Sequence, residues 1–215
     1  MEKNIRKHQT ELSAKMYNHI ITWDVWWAKR FNDFFWWVDE RFLTQELFEH
    51  IPKDKSLKIL ELPIWTGILT LDHYKLYSKS DIIGCDYSPM MLSLAKKKAE
   101  SLGIDQISFL EGNVESLPFE DWAFDVVLSM NGLHVFKNKE ELIRVVKPGG
   151  LFLWCSYLEW WNNRTDWLVK NVYLKKGFFS LPFYCKSQFE NILRKYCSEV
   201  MVKSYKAQWL FICKK

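Results

Sequence analysis

The 215-residue sequence lacks any apolar run near the roughly 20 residues that a bilayer-spanning helix needs. Its longest runs are short, such as "LFLWC" at 151–155. It has no C-x-x-C pair. The five cysteines, Cys85, Cys155, Cys185, Cys197 and Cys213, are scattered, and three lie in or near apolar runs. That usage reads as buried, reduced thiols in a cytoplasmic protein. No metal-ligand cluster, Ser–His–Asp set or phosphate loop is present, so no metal is expected. Charge of one sign is scarce: the net +4 is too modest to imply nucleic acid. The only dense basic run, Lys96–Lys97–Lys98, falls on a predicted helix and reads as a solvated face. The opening "MEKNIRKHQTELSAK" is polar and charged, unlike a secretory signal.

What is present suits one sizeable domain. Apolar residues make up 48% and charged residues 26%, enough for a core inside an ordinary globular surface. From about residue 57 short apolar runs alternate with helical patterns. "LKILEL" (57–62), "DIIGCD" (81–86), "ISFLEG" (107–112), "FDVVLSM" (124–130) and "LFLWCSY" (151–157) read as strands buried on both faces. Ser88–Pro89 starts a helix that stops at Gly103. "NKEELIRVV" predicts a shorter helix, and "KPGG" a turn into the fifth strand. Such alternation predicts an α/β protein with a parallel, doubly wound sheet. The tail differs: helical "KSQFENILRKYC" precedes "EVMVKSY" and "AQWLFIC", whose short link permits only antiparallel pairing.

Tryptophan is abundant, with twelve residues, several in the first 40. Within "TWDVWWAKRFNDFFWWVDERF", Trp23, Trp27, Phe31, Phe34 and Val38 follow helical spacing, and Trp26, Trp36 and Trp37 widen the apolar face. Three readings compete: a lid over the ligand edge of the sheet, a membrane-surface helix, or a homodimer face. Asp24, Asp33 and Asp39 dilute the basic character that the membrane reading needs.

A doubly wound sheet binds ligands beyond its carboxyl strand ends. Polar residues collect there: Glu61 and the 63–67 turn, Asp86, "EGNVESLPF", and "SMNGLH". Asp86 follows Gly67 by nineteen residues and suits the two hydroxyls of a ribose. Spacing alone does not separate a nicotinamide-binding domain from a methyltransferase. Two features favour the latter: the turn lacks G-x-G-x-x-G, and the terminal hairpin is foreign to the usual dinucleotide fold.

On "DYSPMML", "LPFEDWAFDVVLSMNGLHVF" and "KPGG", the chain resembles the class I S-adenosylmethionine-dependent methyltransferases of small-molecule type. The match by motif covers about residues 50–155. The resemblance implies a Rossmann-like, seven-stranded sheet of order 3-2-1-4-5-7-6 with strand seven antiparallel. It divides the chain into an aromatic helical lid (1–50) and a methyltransferase domain (51–215) with a substrate-side insertion at 156–185. It also assigns residues to S-adenosylmethionine. Glu61 would orient the first turn and the methionine amine, and Pro63, Trp65, Thr66 and Gly67 would wrap the methionine part. Asp86 would hold the ribose, with Tyr87 and Met91 near the adenine. Asn113 and Val114 would meet the adenine edge, and Ser129 to Asn131 would lie under the methionine.

The sequence departs from that family in three places. Trp65 stands where a glycine is expected, Asn113 where an Asp is usual, and the helix before "KPGG" is about one turn short. Glycine serves such turns through positive φ and close backbone approach. Trp65 therefore implies either a remodelled turn or an indole in the cofactor's space. His134, at the edge of strand four, is the candidate base for an acceptor that carries a proton, against a structural histidine. Tyr17, Trp27, Tyr157, Trp160, Arg164 and Asp166 are candidates for the small-molecule acceptor pocket. Three functions remain: methyl transfer to a small molecule, a non-catalytic scaffold or binder of another ligand whose site Trp65 plugs, or a membrane-surface or partner-binding protein that uses the aromatic N-terminus.

Overall fold

The short apolar runs become the strands of one sheet. The computed structural model describes residue 18 and residues 26–35, 38–132, 140–158, 163–175 and 184–215. The strands are β1 (Lys58–Glu61), β2 (Asp81–Asp86), β3 (Ile107–Glu111), β4 (Phe124–Met130), β5 (Val146–Tyr157), β6 (Glu199–Tyr205) and β7 (Gln208–Lys214). Their order is β3-β2-β1-β4-β5-β7-β6. The pairs from β3 to β5 are parallel, and β7 runs antiparallel to both neighbours. This is the order and the reversed strand that the resemblance implies.

Alternation along each strand splits the core into two layers. Ile59, Val126, Leu128, Leu153, Leu210 and Ile212 face one way. Leu60, Val127, Phe152, Trp154, Phe211 and Cys213 face the other. Helices α2 (Glu40–Phe48), α3 (Leu71–Tyr74) and α4 (Pro89–Leu102) cover the first layer through Leu43, Leu71 and Ala95. Helices α5 (Glu140–Arg144) and α7 (Lys186–Leu193) cover the second through Leu142 and Phe189. The remaining helices are α1 (Trp26–Phe35) and α6 (Asn163–Leu168), and α6 continues as a π-helical turn through Tyr173.

Helix α4 forms as its ends predict. The Ser88 hydroxyl accepts from Met91 N at 3.4 Å, Pro89 opens the helix, and Gly103 closes it at φ 66°. Two boundaries differ from the sequence expectation. The aromatic N-terminal pattern is not one helix: Asp39 caps α2, its carboxylate accepting from Arg41 N at 2.9 Å. And β5 starts at Val146, before "KPGG", and runs through it. Phe124 pairs with Val146, then the register shifts so that Val126 pairs with Leu151. Gly149 takes φ 75°, and a Cβ on Gly150 would lie 2.9 Å from the carbonyl oxygens of Asp125 and Lys147. The two glycines thus make an irregularity within the strand rather than a turn before it.

Leu43, Leu47, Phe48 and Ile51 are buried among the strand residues of the first layer. Helix α2 is therefore a wall of the core. Its Glu46 pairs with Lys203 on β6, and Phe42 meets Tyr205 edge-on at 5.3 Å. Among the described residues, no helix is long and apolar enough to cross a membrane.

Candidate functional site

Strand β1 delivers a buried acid, Glu61, to the carboxyl edge of the sheet. Burial pushes its pKa up to about 8, against an offset from the Thr70 and Tyr74 hydroxyls. Neither hydroxyl completes a bond of ordinary geometry: Glu61 Oε2, Thr70 Oγ1 and Tyr74 Oη are all buried without a hydrogen-bond partner. Beyond Glu61 the chain turns tightly. Leu62–Pro63 is a cis peptide, Ile64 N donates to Cys85 O at 2.9 Å, and Gly67 N donates to Ile64 O at 2.9 Å. Gly67 has φ 66°, and a Cβ there would lie 2.3 Å from Leu71 Cδ1. Below the turn, Lys98 donates to the carbonyls of Gly67 and Ile68 at 3.2 and 3.0 Å and pairs with Asp72 at 3.2 Å. The solvated-face reading holds for Lys96 and Lys97, which are exposed, but not for Lys98.

Trp65 keeps the left-handed conformation of the glycine it replaces, at φ 53°. The turn has not been remodelled to a negative φ. Instead its groups are bonded inward. Trp65 N donates to Asp86 Oδ2 at 2.9 Å, and the indole Nε1 donates to Met130 O at 2.9 Å. The side chain therefore reaches from the β1 turn to the end of β4, along the carboxyl edge. The neighbouring Thr66 hydroxyl donates to Asn18 Oδ1 at 2.7 Å, so the N-terminal segment also meets this turn.

At the end of β2, Asp86 is buried, and its second oxygen accepts from Ser88 N at 2.9 Å. Burial raises its pKa to about 6, against the opposing bonds from Ser88, Trp65 and Tyr87. At the end of β4, Ser129 is buried with an unpartnered hydroxyl. Asn131 takes φ 53°, and its Nδ2 donates to Glu40 Oε2 at 2.6 Å. Enclosure raises the Glu40 carboxyl to about 7, with the Asn131 bond opposing and Asp39 adding to the rise.

The comparisons with known proteins agree with this fold. Residues 59–150 match a methyltransferase domain family. A demethylmenaquinone methyltransferase of Thermus thermophilus is 39% identical over 97 residues, covering 43% of this chain and 44% of that protein. The chain thus spans less than half the length of the curated relatives it matches. A methyltransferase structure from Bacillus halodurans superposes at TM-score 0.65 with 15% identity, over 80% of this chain and 98% of the other. A SAM-dependent methyltransferase from Aquifex aeolicus superposes at 0.59 with 13% identity, over 80% and 88%. These two likenesses show the fold. Over residues 59–150 the chain is thus similar to the class I S-adenosylmethionine-dependent methyltransferases, and it has their fold.

Of the residues that the resemblance assigns to the cofactor, Trp65 and Asp86 are turned to internal partners, while Glu61 and Ser129 each keep a buried oxygen without one. The buried, orphaned oxygens of Glu61 and Ser129 suit the donors of a polar ligand, and Asp86 ends β2, where the resemblance puts the ribose. Yet each Asp86 oxygen already accepts a backbone N–H, and the Trp65 indole lies between the ends of β1 and β4. The indole and the Asp86 bonds thus occupy groups that the resemblance assigns to the cofactor. On the adenine side, Met91 and Val114 are buried and Tyr87 is exposed. Asn113 is exposed, and its side-chain carbonyl accepts from Glu115 N at 3.0 Å, so the acceptor left by the Asp-to-Asn difference serves its own turn. Pro63 is buried in the turn.

The acceptor candidates divide. Tyr17, Trp160 and His134 lie outside the described residues. Tyr157 is buried at the end of β5, and its hydroxyl donates to Asp166 on α6. Arg164 lies 4.6 Å from the centre of the Phe34 ring, and the Thr165 hydroxyl donates to Phe35 O. Those contacts join the insertion to α1, where Trp27 is 41% exposed. The sequence reading missed Glu40, Thr70, Tyr74 and Lys98. Only Lys98 carried a signal, as the member of a basic run facing α3.

Proposed function

We propose that this protein transfers a methyl group from S-adenosylmethionine to a small, largely apolar molecule, through a cleft that Trp65 gates. The observation that supports this reading is the pair of buried, unpartnered oxygens, on Glu61 and Ser129, beside Asp86 at the carboxyl edge. Unpaired buried polar atoms are costly, and a site built for a ligand is one reason to retain them. When bound, the cofactor supplies the reactive methyl sulfonium. The chain's own work is to bind, orient and exclude water. Glu61 and the 63–67 turn would hold the methionine part, and Asp86 the ribose. Asn131 would fix the β4 end while Glu40 holds its amide. The segment before residue 40 would act as a lid: Asn18 reaches Thr66, and α1 is tied to α6. His134 would serve as base for a proton-bearing acceptor. Titration calorimetry of the full chain with S-adenosylmethionine and its demethylated product tests this reading. Micromolar to sub-millimolar binding supports it, and no heat at millimolar ligand overturns it.

The Trp65 Nε1–Met130 bond favours a second reading, in which the indole is a permanent plug and the fold is a non-catalytic scaffold or a binder of another ligand. It expects no cofactor binding by the native chain and restored binding by Trp65→Gly. In either reading the protein would work in the cytoplasm, as a homodimer formed through the aromatic α1. Sedimentation of the full chain against one carrying Trp26→Ser and Trp27→Ser reads the dimer directly.

A further inference from the structure

Two of the five cysteines come together where neither the fold nor the cofactor edge needs a thiol. Cys213 lies on β7, on the side that faces α7, and is fully buried. Cys197 follows α7, four residues after the buried Leu193, and belongs to the same apolar layer. The backbone fixes their proximity. Ser198 N and its hydroxyl both donate to Lys214 O, at 2.8 and 3.1 Å, and Val200 pairs with Cys213 in the β6–β7 ladder. The residues next to the two cysteines are therefore bonded to each other. Beside them, the Lys215 ammonium donates to the carbonyls of Ile143, Arg144 and Val146 at 2.7, 3.2 and 2.9 Å, which pins a fixed cation in place.

We propose that Cys197 and Cys213 form a redox-sensitive dithiol that closes to an intramolecular disulfide under peroxide. The two thiols are unequal. The Cys213 side chain and Lys215 lower the Cys197 pKa, against burial, while the Cys197 side chain and burial raise that of Cys213. Cys197 is also the more accessible, at 8% exposed against 0%. A surface pocket lined by Glu140, Glu141, Ile143, Arg144, Tyr196 and Lys215 opens at the residue before it, and Cys197 itself does not line that pocket. Of the pair, Cys197 is thus the better suited to attack and Cys213 to resolve. In the first step the Cys197 thiolate attacks one peroxide oxygen, giving a sulfenic acid and hydroxide. In the second, the Cys213 sulfur displaces that hydroxyl as water, losing its own proton as the S–S bond forms. Two thiols and one peroxide give one disulfide and two waters. The product would tie the exit of α7 to β7, closing a loop that contains β6.

The test uses the full reduced chain treated with hydrogen peroxide, alkylated after denaturation and digested without reductant. The expected product is peptide 196–203 joined to peptide 207–214, two hydrogens lighter than their sum and released by dithiothreitol. Free thiols fall by two on that account. Cys213→Ser should leave a sulfenic acid at Cys197 that dimedone captures, which reads the order of attack without requiring the disulfide. The proposal is overturned if both cysteines are recovered fully alkylated at a dose that oxidises the partly exposed Cys185. It is equally overturned if Cys197 is found only as a sulfinic acid or joined to another chain.

Discussion

Replacing Trp65 with glycine separates a gate from a plug and from an irrelevant neighbour. The indole donates to Met130 O at 2.9 Å, and its residue holds φ 53°. Moving the ring aside breaks one hydrogen bond, worth about 1 kcal/mol net. It also exposes part of a half-buried ring, roughly 1–2 kcal/mol at the usual area coefficient. A ligand that needs the open state carries that roughly 2–3 kcal/mol as a loss of apparent affinity, roughly 30- to 150-fold. Trp65→Gly removes the term and should tighten binding of S-adenosylhomocysteine by that factor in titration calorimetry. Stability should change little. The lost packing is offset by relief of a left-handed residue, which costs an L-amino acid about 1–2 kcal/mol. Trp65→Phe keeps a ring but no Nε1, and should recover only about fivefold, the share of the hydrogen bond. Affinities within twofold for all three proteins would refute the reasoning, because the ring would then not stand in the ligand's way.

Three further outcomes follow from the same region and its supports. Glu61, raised to about 8 from an ordinary 4.5, holds a proton in the folded chain that the unfolded chain releases. Its stabilising effect is full below about 4.5 and is lost as pH rises through about 8. Between these limits Glu61 should add about 1.4 kcal/mol per pH unit to the fall in stability read by urea unfolding, beside like-signed shares from Glu40 and Asp86, and Glu61→Gln should remove that share alone; an unchanged slope contradicts it. Glu40→Ala leaves the Asn131 amide without its partner and should destabilise by about 1–3 kcal/mol, while Glu40→Gln, which keeps an acceptor, should lose less than half of that in the same melts. Arg144 donates to Glu141, Asp121 and the carbonyls of Phe119 and Leu117. Arg144→Ala should speed amide exchange across residues 113–122 at least tenfold, and leave exchange in β1 unchanged.

Local signals carried the legible part of this protein. Helix α4 was readable because Ser88, Pro89 and Gly103 each act through a neighbour within a few residues. Four of the five parallel strands were readable because burial leaves nearly continuous apolar runs; β3, at the sheet edge, is not buried on both faces as expected, and its Ser108 and Glu111 are exposed. The strand order came from the family resemblance, since nothing local distinguishes one parallel neighbour from another. "KPGG" misled because glycines that relax a bulge look the same as glycines that make a turn. The direction of Trp65 was not legible, because it depends on a carbonyl 65 residues away. Glu40 was hidden for the same reason: its partner Asn131 is 91 residues distant, and an acid opening a helix ordinarily faces solvent. What the sequence conceals is long-range polar pairing, and the candidate site is made largely of it.

The order β5-β7-β6 has a consequence for how the chain folds. The β6–β7 hairpin joins through a two-residue link and is a local structure. It forms on its own clock, but β7 must then find β5, more than fifty residues back along the chain. Until it does, Leu151–Tyr157 is an unpaired edge of apolar residues, open to any other extended segment. Docking of the hairpin as a unit is thus the late, slow event, and the interval before it is when this protein is most exposed to aggregation. Lys203 and Tyr205, which meet Glu46 and Phe42 on α2, are placed to capture the hairpin as it arrives.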